Sequence, residues 1–227
     1  MSLNSISIVA SIGVVAWMAS AACGLADQAA ATRIDIAKNG VGMPPAGFDF
    51  RQTGEGEPGQ WTVVPDPTAA DGFAIEHVST DQHEDRFPLA IYQPLAFENG
   101  EIVVRFKIVS GTMLSAGIAL SVRNPDNYYA VSVSALEQRV DLLLFMNGKI
   151  ERLEGSAEAN VEINRWHTLQ VKLNDDHFAV SLDTKVLFTT FDRARMKDGR
   201  MALWTREDNV TRFDQIEIRP LPNTEWR

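Results

Sequence analysis

Apolar and polar residues alternate one by one through most of this chain, in short runs broken by turn residues. That alternation limits the fold more than any other feature. In 101–109, Val104, Phe106 and Ile108 fall on one side of an extended backbone, and Val103, Arg105 and Lys107 on the other. In 167–173, Leu169, Val171 and Leu173 oppose Thr168, Gln170 and Lys172, and Phe178, Val180 and Leu182 repeat the pattern. Successive side chains leave a pleated backbone on opposite faces, so a period of two marks a half-buried strand. Further strands are predicted at 61–64, 73–79, 87–92, 115–123, 127–134, 138–146, 149–154, 185–190, 200–206 and 212–219. Asn147-Gly148 has the composition of a tight hairpin turn, and Asn99-Gly100, Asn174-Asp175-Asp176 and Asp198-Gly199 are further turn signals. Strands at a spacing of roughly 8–12 residues predict an all-β sandwich or barrel. After residue 27 only a single helical turn, at 192–197, is predicted.

The ends differ from this body. Nothing from Met1 to Ala26 is charged, and an apolar stretch at 8–18 is followed by the small residues around Gly24-Leu25-Ala26. Residues 1–26 are therefore expected to be a cleaved export signal. An uncleaved membrane anchor, or a lipoprotein acylated at Cys23, is the alternative. Cys23 is the only cysteine, so the rest of the chain has no disulfide framework and no thiolate for catalysis or metal binding. Residues 27–60 are rich in glycine and proline and are expected to form an extended lead-in draped over a domain at 61–220, with 221–227 as a tail. The chain carries 21 basic and 30 acidic residues, a net −9. An acidic surface repels phosphate backbones, so no nucleic-acid partner is expected. Contact with a membrane is expected only through the N-terminal segment. The expected location is outside the cytoplasm: periplasmic, secreted or envelope-bound.

Several chemistries are absent. No G-x-S-x-G elbow, phosphate-binding loop or dinucleotide fingerprint occurs. Asp81, His83 and Asp85 would share a face if extended, a pattern read here as a polar loop before the strand at Phe87. His167, at a strand start beside Trp166, reads as structural. The acids Glu151, Glu154 and Glu158, and the pair Glu207-Asp208, read as solvated loops.

A set of short motifs stands in order along the chain: Arg86-Phe87-Pro88-Leu89-Ala90-Ile91-Tyr92, Asp126-Asn127-Tyr128-Tyr129, Ala135-Leu136-Glu137, Trp166-His167-Thr168-Leu169, 199–204 and Phe213-Asp214. Together they resemble bacterial secreted domains of the concanavalin A-like lectin/glucanase class. Within that class the pattern is similar to the 3-keto-disaccharide hydrolase domain family, often labelled family-16-glycoside-hydrolase-like. The resemblance spans roughly 44–220. It implies a two-sheet antiparallel jelly-roll sandwich and, in some members, saccharide chemistry. It also implies a structural calcium held by loop carbonyls and a late aspartate, for which Asp214 is the candidate. No other cofactor is expected. The chain departs from the family pattern at Leu120 and Ser121, where Trp-Arg is common, at Ser132 for Arg, and at Ser134 for Asn. It also lacks any Glu-x-Asp pair, the strand-borne acids of family-16 glucanases, so conventional two-carboxylate hydrolysis is not expected.

The remaining signal is a face. Opposite a core set of Val104, Phe106, Ile118, Leu120, Val122, Tyr129, Val131, Val133, Val140, Leu142 and Leu144 lie Arg105, Lys107, Ser121, Arg123, Tyr128, Ser132, Ser134, Arg139 and Asp141. Met201 and Leu203 face in, which turns Trp204 and Arg206 out. If these strands share one curved sheet, its outer face gathers aromatic and arginine side chains suited to sugars. Arg123, Tyr128, Trp204, Arg206, Ser121, Ser132 and Arg139 are the expected binding residues, and a saccharide or glycoconjugate is the expected partner. The expected function is a saccharide-binding or surface-interaction module. A hydrolase or lyase acting on 3-keto-disaccharides and a structural envelope protein are the alternatives.

Overall fold

In the computed structural model, which describes residues 30–57 and 59–222, every predicted alternating run is a strand. In chain order the strands are β1 (Thr32–Arg33), β2 (Phe48–Thr53), β3 (Gln60–Pro65), β4 (Phe73–Val78) and β5 (Phe87–Tyr92). The middle of the chain gives β6 (Gly100–Ser110), β7 (Ser115–Asn124), β8 (Asn127–Ser134), β9 (Arg139–Met146) and β10 (Lys149–Glu158). The last five are β11 (His167–Asn174), β12 (His177–Leu182), β13 (Lys185–Phe191), β14 (Arg200–Thr205) and β15 (Val210–Pro220). The only helix among the described residues is a 3-10 turn at Ile36–Lys38.

Two antiparallel sheets face each other. One has the order β13-β12-β11-β6-β15-β4-β3, with β1 added to β15. The other has the order β10-β9-β8-β7-β14-β5-β2. The alternation explains the packing. Val104 and Phe106 from the first sheet meet Ile118, Leu120, Val131 and Leu142 from the second in one buried cluster. This is a two-sheet jelly-roll sandwich, with inner faces that interdigitate as a core and turns gathered at its ends.

Three placements differ from the sequence expectation. Residues 27–60 are more than a drape: β2 pairs with β5 along its whole length, and Ile34 and Ile36 enter the core. Phe48 and Phe50 alternate inward there, a pattern too short to stand out among the neighbouring glycines. Arg105 and Lys107 are not on the same sheet as Ser132 and Trp204, because β6 belongs to the opposite sheet. The parity of β7 also changes midway. Ser121 sits at φ 50° in a register break, where Gly199 passes so close that a Cβ there would lie 2.5 Å from the Ser121 carbonyl carbon. A bulge shifts the count by one, so Val122 leaves the core for the outer face and Ser121 leaves the outer face. The segment expected to be an export signal, Cys23 and most of the C-terminal tail lie outside the described residues.

Candidate functional site

The outer face of the β10–β2 sheet holds a second apolar cluster, built from Phe87, Leu89, Ile91, Ala119, Val122, Tyr128, Ala130, Phe145, Ala202 and Trp204. Its burial follows from curvature. Phe87 on β5 and Phe145 on β9 are four strands apart, about 19 Å in a flat sheet, yet their ring centroids are 5.0 Å apart. Phe145 stacks on Tyr128 at 4.3 Å, and Phe87 stacks on Trp204 at 5.6 Å. Thr53, on the β2 edge, shares a 2.7 Å hydrogen bond with the Tyr128 hydroxyl and donates to the Pro125 carbonyl at 2.5 Å. The sheet curls until its flanks touch. Small residues (Ala119, Ala130 and Ala202) form the floor and leave room for the rings above.

The rings therefore fill one end of the trough. Tyr128 is 0% exposed and Trp204 1%. Their faces are packed on other rings and offer no open platform for a sugar. Burial pushes the Tyr128 hydroxyl well above the usual phenol range.

The other end stays open as a cavity of about 290 Å³. One transverse row crosses it. Register pairs Leu89 with Trp204, Trp204 with Gly117, Gly117 with Ser132, Ser132 with Asp141, and Asp141 with Ser156. Gly117 is required in this row, since a Cβ would lie 2.1 Å from the Val131 carbonyl oxygen on the neighbouring strand. The next row brings Ser115, Ser134 and Arg139 together. Ser132, Ser134, Asp141, Arg152, Trp204 and Arg206 line the cavity, with Phe87 as part of its aromatic wall.

The charges are closely paired. Arg139 donates to Asp141 Oδ1 from Nη2 at 2.8 Å and from Nε at 3.1 Å, and to Ser156 at 2.6 Å. Arg152 Nη2 lies 3.5 Å from Asp141 Oδ2 and 4.0 Å from Glu137. Arg206 donates to Glu207 at 3.0 Å and lies over the Phe87 ring at 5.6 Å. Glu207 is not the solvated loop acid that the sequence suggested. It is 4% exposed, stands at φ 50°, and burial pushes its carboxyl up.

Of the expected binding residues, Ser132, Trp204 and Arg206 line this cavity, and Arg139 reaches it through Asp141. Tyr128 lies in the aromatic fill. Ser121, turned by the bulge, accepts a hydrogen bond from Arg195 at 3.3 Å. Arg123 donates to the Lys197 carbonyl at 2.9 Å. It stands eight residues along β7 from the cavity residue Ser115, roughly 25 Å away. Arg152 and Ser156 were missed. They sit on β10, whose glutamate-rich sequence hides its face, and only the register from Asp141 places them.

Asp214 does not fit a calcium ligand. It lies on β15 in the opposite sheet, is 2% exposed, and accepts from Arg105 at 3.0 Å and from the Ala70 amide at 2.8 Å. Both bonds fall on Oδ2, Oδ1 is buried without a bond, and among the described residues no second carboxylate is grouped with it to share a cation. No group of three or more His, Cys, Asp or Glu among the described residues is arranged to hold a metal. Asp81 and His83 bond each other, and Asp85 turns away at φ 57°. His167 is fixed by Asp183 at 2.7 Å and by the backbone of Glu162, consistent with a structural role.

No family model matches the chain, and no curated protein matches it in sequence. Solved structures match it in fold. Carbohydrate-binding module CBM66 from Bacillus subtilis aligns with a TM-score of 0.57 and 16% identity, over 74% of this chain and 94% of that one. A Bacillus subtilis protein of unknown function with a galectin-like fold aligns at 0.54 and 9%, over 78% and 91%. The exoplasmic/lumenal domain of VIP36, in a Ca²⁺/Man3GlcNAc-bound form, aligns at 0.53 and 13%, over 80% and 86%. These likenesses show the fold alone, a concanavalin-like two-sheet sandwich.

Proposed function

We propose that this chain is an exported saccharide-binding module whose site is the polar end of the curled sheet face. One observation carries the reading. A single cross-strand row, from Trp204 through Gly117 and Ser132 to Asp141, opens into a cavity of about 290 Å³ walled by an aromatic ring and by hydrogen-bonding groups. Convergent polar groups on an apolar wall are the usual make-up of a small-ligand site. The similarity to a carbohydrate-binding module and to a domain in a Man3GlcNAc-bound form supports the same assignment. Export is proposed from the uncharged 1–26 segment alone.

One observation favours the hydrolase reading. Glu207, buried beside the cavity residue Arg206 but lining a neighbouring pocket with Thr112 and Met113, has its carboxyl pushed up, and a general acid needs such a shift. One experiment separates the two. The protein is incubated with a panel of glycans and 3-keto-disaccharides, and retention and product are both read by mass spectrometry. Retention without product is expected. Product would make the chain an enzyme, and neither retention nor product would contradict both readings.

A further inference from the structure

Most polar groups around the cavity are already engaged. Asp141 Oδ1 takes two bonds from Arg139, Ser134 Oγ accepts from the Glu137 amide at 3.1 Å, and Ser115 donates to the Met113 carbonyl at 3.0 Å. Three groups are left over. Asp141 Oδ2, the Ser132 hydroxyl and the Arg152 guanidinium make no hydrogen bond among the described residues, and Asp141 Oδ2 is not sealed from solvent. Ser132 and Asp141 are direct cross-strand partners, and Arg152 Nη2 stands 3.5 Å from Asp141 Oδ2. An acceptor, a strong donor and a hydroxyl that does both thus sit side by side, facing one small volume.

Two further features narrow the ligand. Every arginine at the cavity lies within 4.0 Å of a carboxylate: Arg139 and Arg152 by Asp141 and Glu137, and Arg206 by Glu207. Three arginines face three carboxylates, so the cavity carries no net positive charge to hold an anion, and the carboxylates would repel one. The cavity is also at the small end of the range for ligand pockets, about 300–1,000 Å³. It is a dead end, because the stacked Tyr128, Phe145 and Phe87 rings close the trough beyond it.

Resting on the saccharide reading, we infer that the site takes the terminal residue of a neutral glycan by a pair of adjacent hydroxyls. One hydroxyl donates to Asp141 Oδ2 while its neighbour accepts from Arg152, and Ser132 completes the pair. A polyanionic glycan and the interior of a long chain are both excluded, the first by charge and the second by the closed end.

Calorimetric titration of the full chain tests this with maltohexaose, cellohexaose, mannohexaose and xylohexaose, their disaccharides, and oligogalacturonate. At least one neutral hexasaccharide should bind, and its disaccharide should match it in affinity. Oligogalacturonate should bind about tenfold more weakly or not at all. Mild periodate oxidation of the binding glycan, which cleaves adjacent diols, should abolish the heat. Asp141→Asn and Arg152→Ala should each lower affinity about tenfold, the loss of one charged hydrogen bond, with melting temperature read alongside to confirm folding. Tighter binding of oligogalacturonate, binding that survives periodate, or affinity that climbs with chain length would overturn the inference while leaving saccharide binding intact. Neutral binding untouched by both folded variants would move the site elsewhere. No binding by any glycan would remove the functional reading and this inference with it.

Discussion

His77 has one partner where its ring offers two positions. Nδ1 donates to the Asn209 carbonyl at 2.8 Å, and Nε2 is buried without a bond, pressed so close to Gly59 that a Cβ there would lie 1.8 Å from it. Burial holds the imidazole at about 4, below its ordinary 6.5. Below pH 6.5 the unfolded chain therefore takes up a proton that the folded chain refuses. Stability should fall as pH drops from 6.5 to about 4, by roughly 3 kcal/mol from this group. Urea unfolding of the wild type and His77→Gln across that range checks it, and the difference between the two curves should flatten below pH 4. Trp204 is buried as well. The alternation places it on the outer face, as observed, but cannot show whether that face is open. Trp204→Ala should behave as a core truncation, costing about 3–5 kcal/mol in a thermal or denaturant melt. A variant that melts like the wild type would contradict the packed aromatic end.

Most strands between 61 and 220 were legible because they bury one face, and one buried face leaves a period of two in the sequence; the edge strands β10 and β13, with no buried residue, were marked mainly by the turns beside them. The elements that were not legible leave no such trace. The β7 bulge is a single extra residue, Ser121, with no periodic mark, and it alone moved Val122 and Ser121 to unexpected faces. The strand β2 carries its alternation in only two aromatics, Phe48 and Phe50, beside a glycine-rich loop. Yet β2 closes the trough, because Thr53 reaches Tyr128 across the curled sheet. Thr53→Val keeps the shape of the side chain and removes both of its hydrogen bonds. It should destabilise the fold by about 1–3 kcal/mol, the cost of leaving buried polar groups unpaired. Chemical denaturation reads this directly. A chain beginning at Trp61 would lose β2 and bare the β5 edge, and it should express as insoluble or unfolded protein.

Across the whole molecule, the sequence and the structure agree on the architecture and part company on the use of its surface. Sheet partners are long-range facts. Alternation could not reveal that β6 lies in the opposite sheet, so Arg105 and Lys107 were placed with residues on the far side of the sandwich. There Lys107 is bound to Asp66 at 2.5 Å, and both cations flank the Trp166 ring. The expected binding face contracted to one end, keeping Ser132, Arg139, Trp204 and Arg206 near the cavity and releasing Ser121, Arg123 and Tyr128. What replaced them, Asp141 Oδ2 and Arg152, follows from cross-strand register and from which hydrogen bonds are already made. The position of a bound glycan on this face is therefore decisive. Amide chemical-shift mapping with the tightest-binding neutral glycan measures that position. Shifts centred on Ser132, Asp141 and Arg152, with Arg123 and Tyr128 unmoved, are predicted. Shifts centred on Arg123 and Lys197, or on Trp166 across the sandwich, would contradict it.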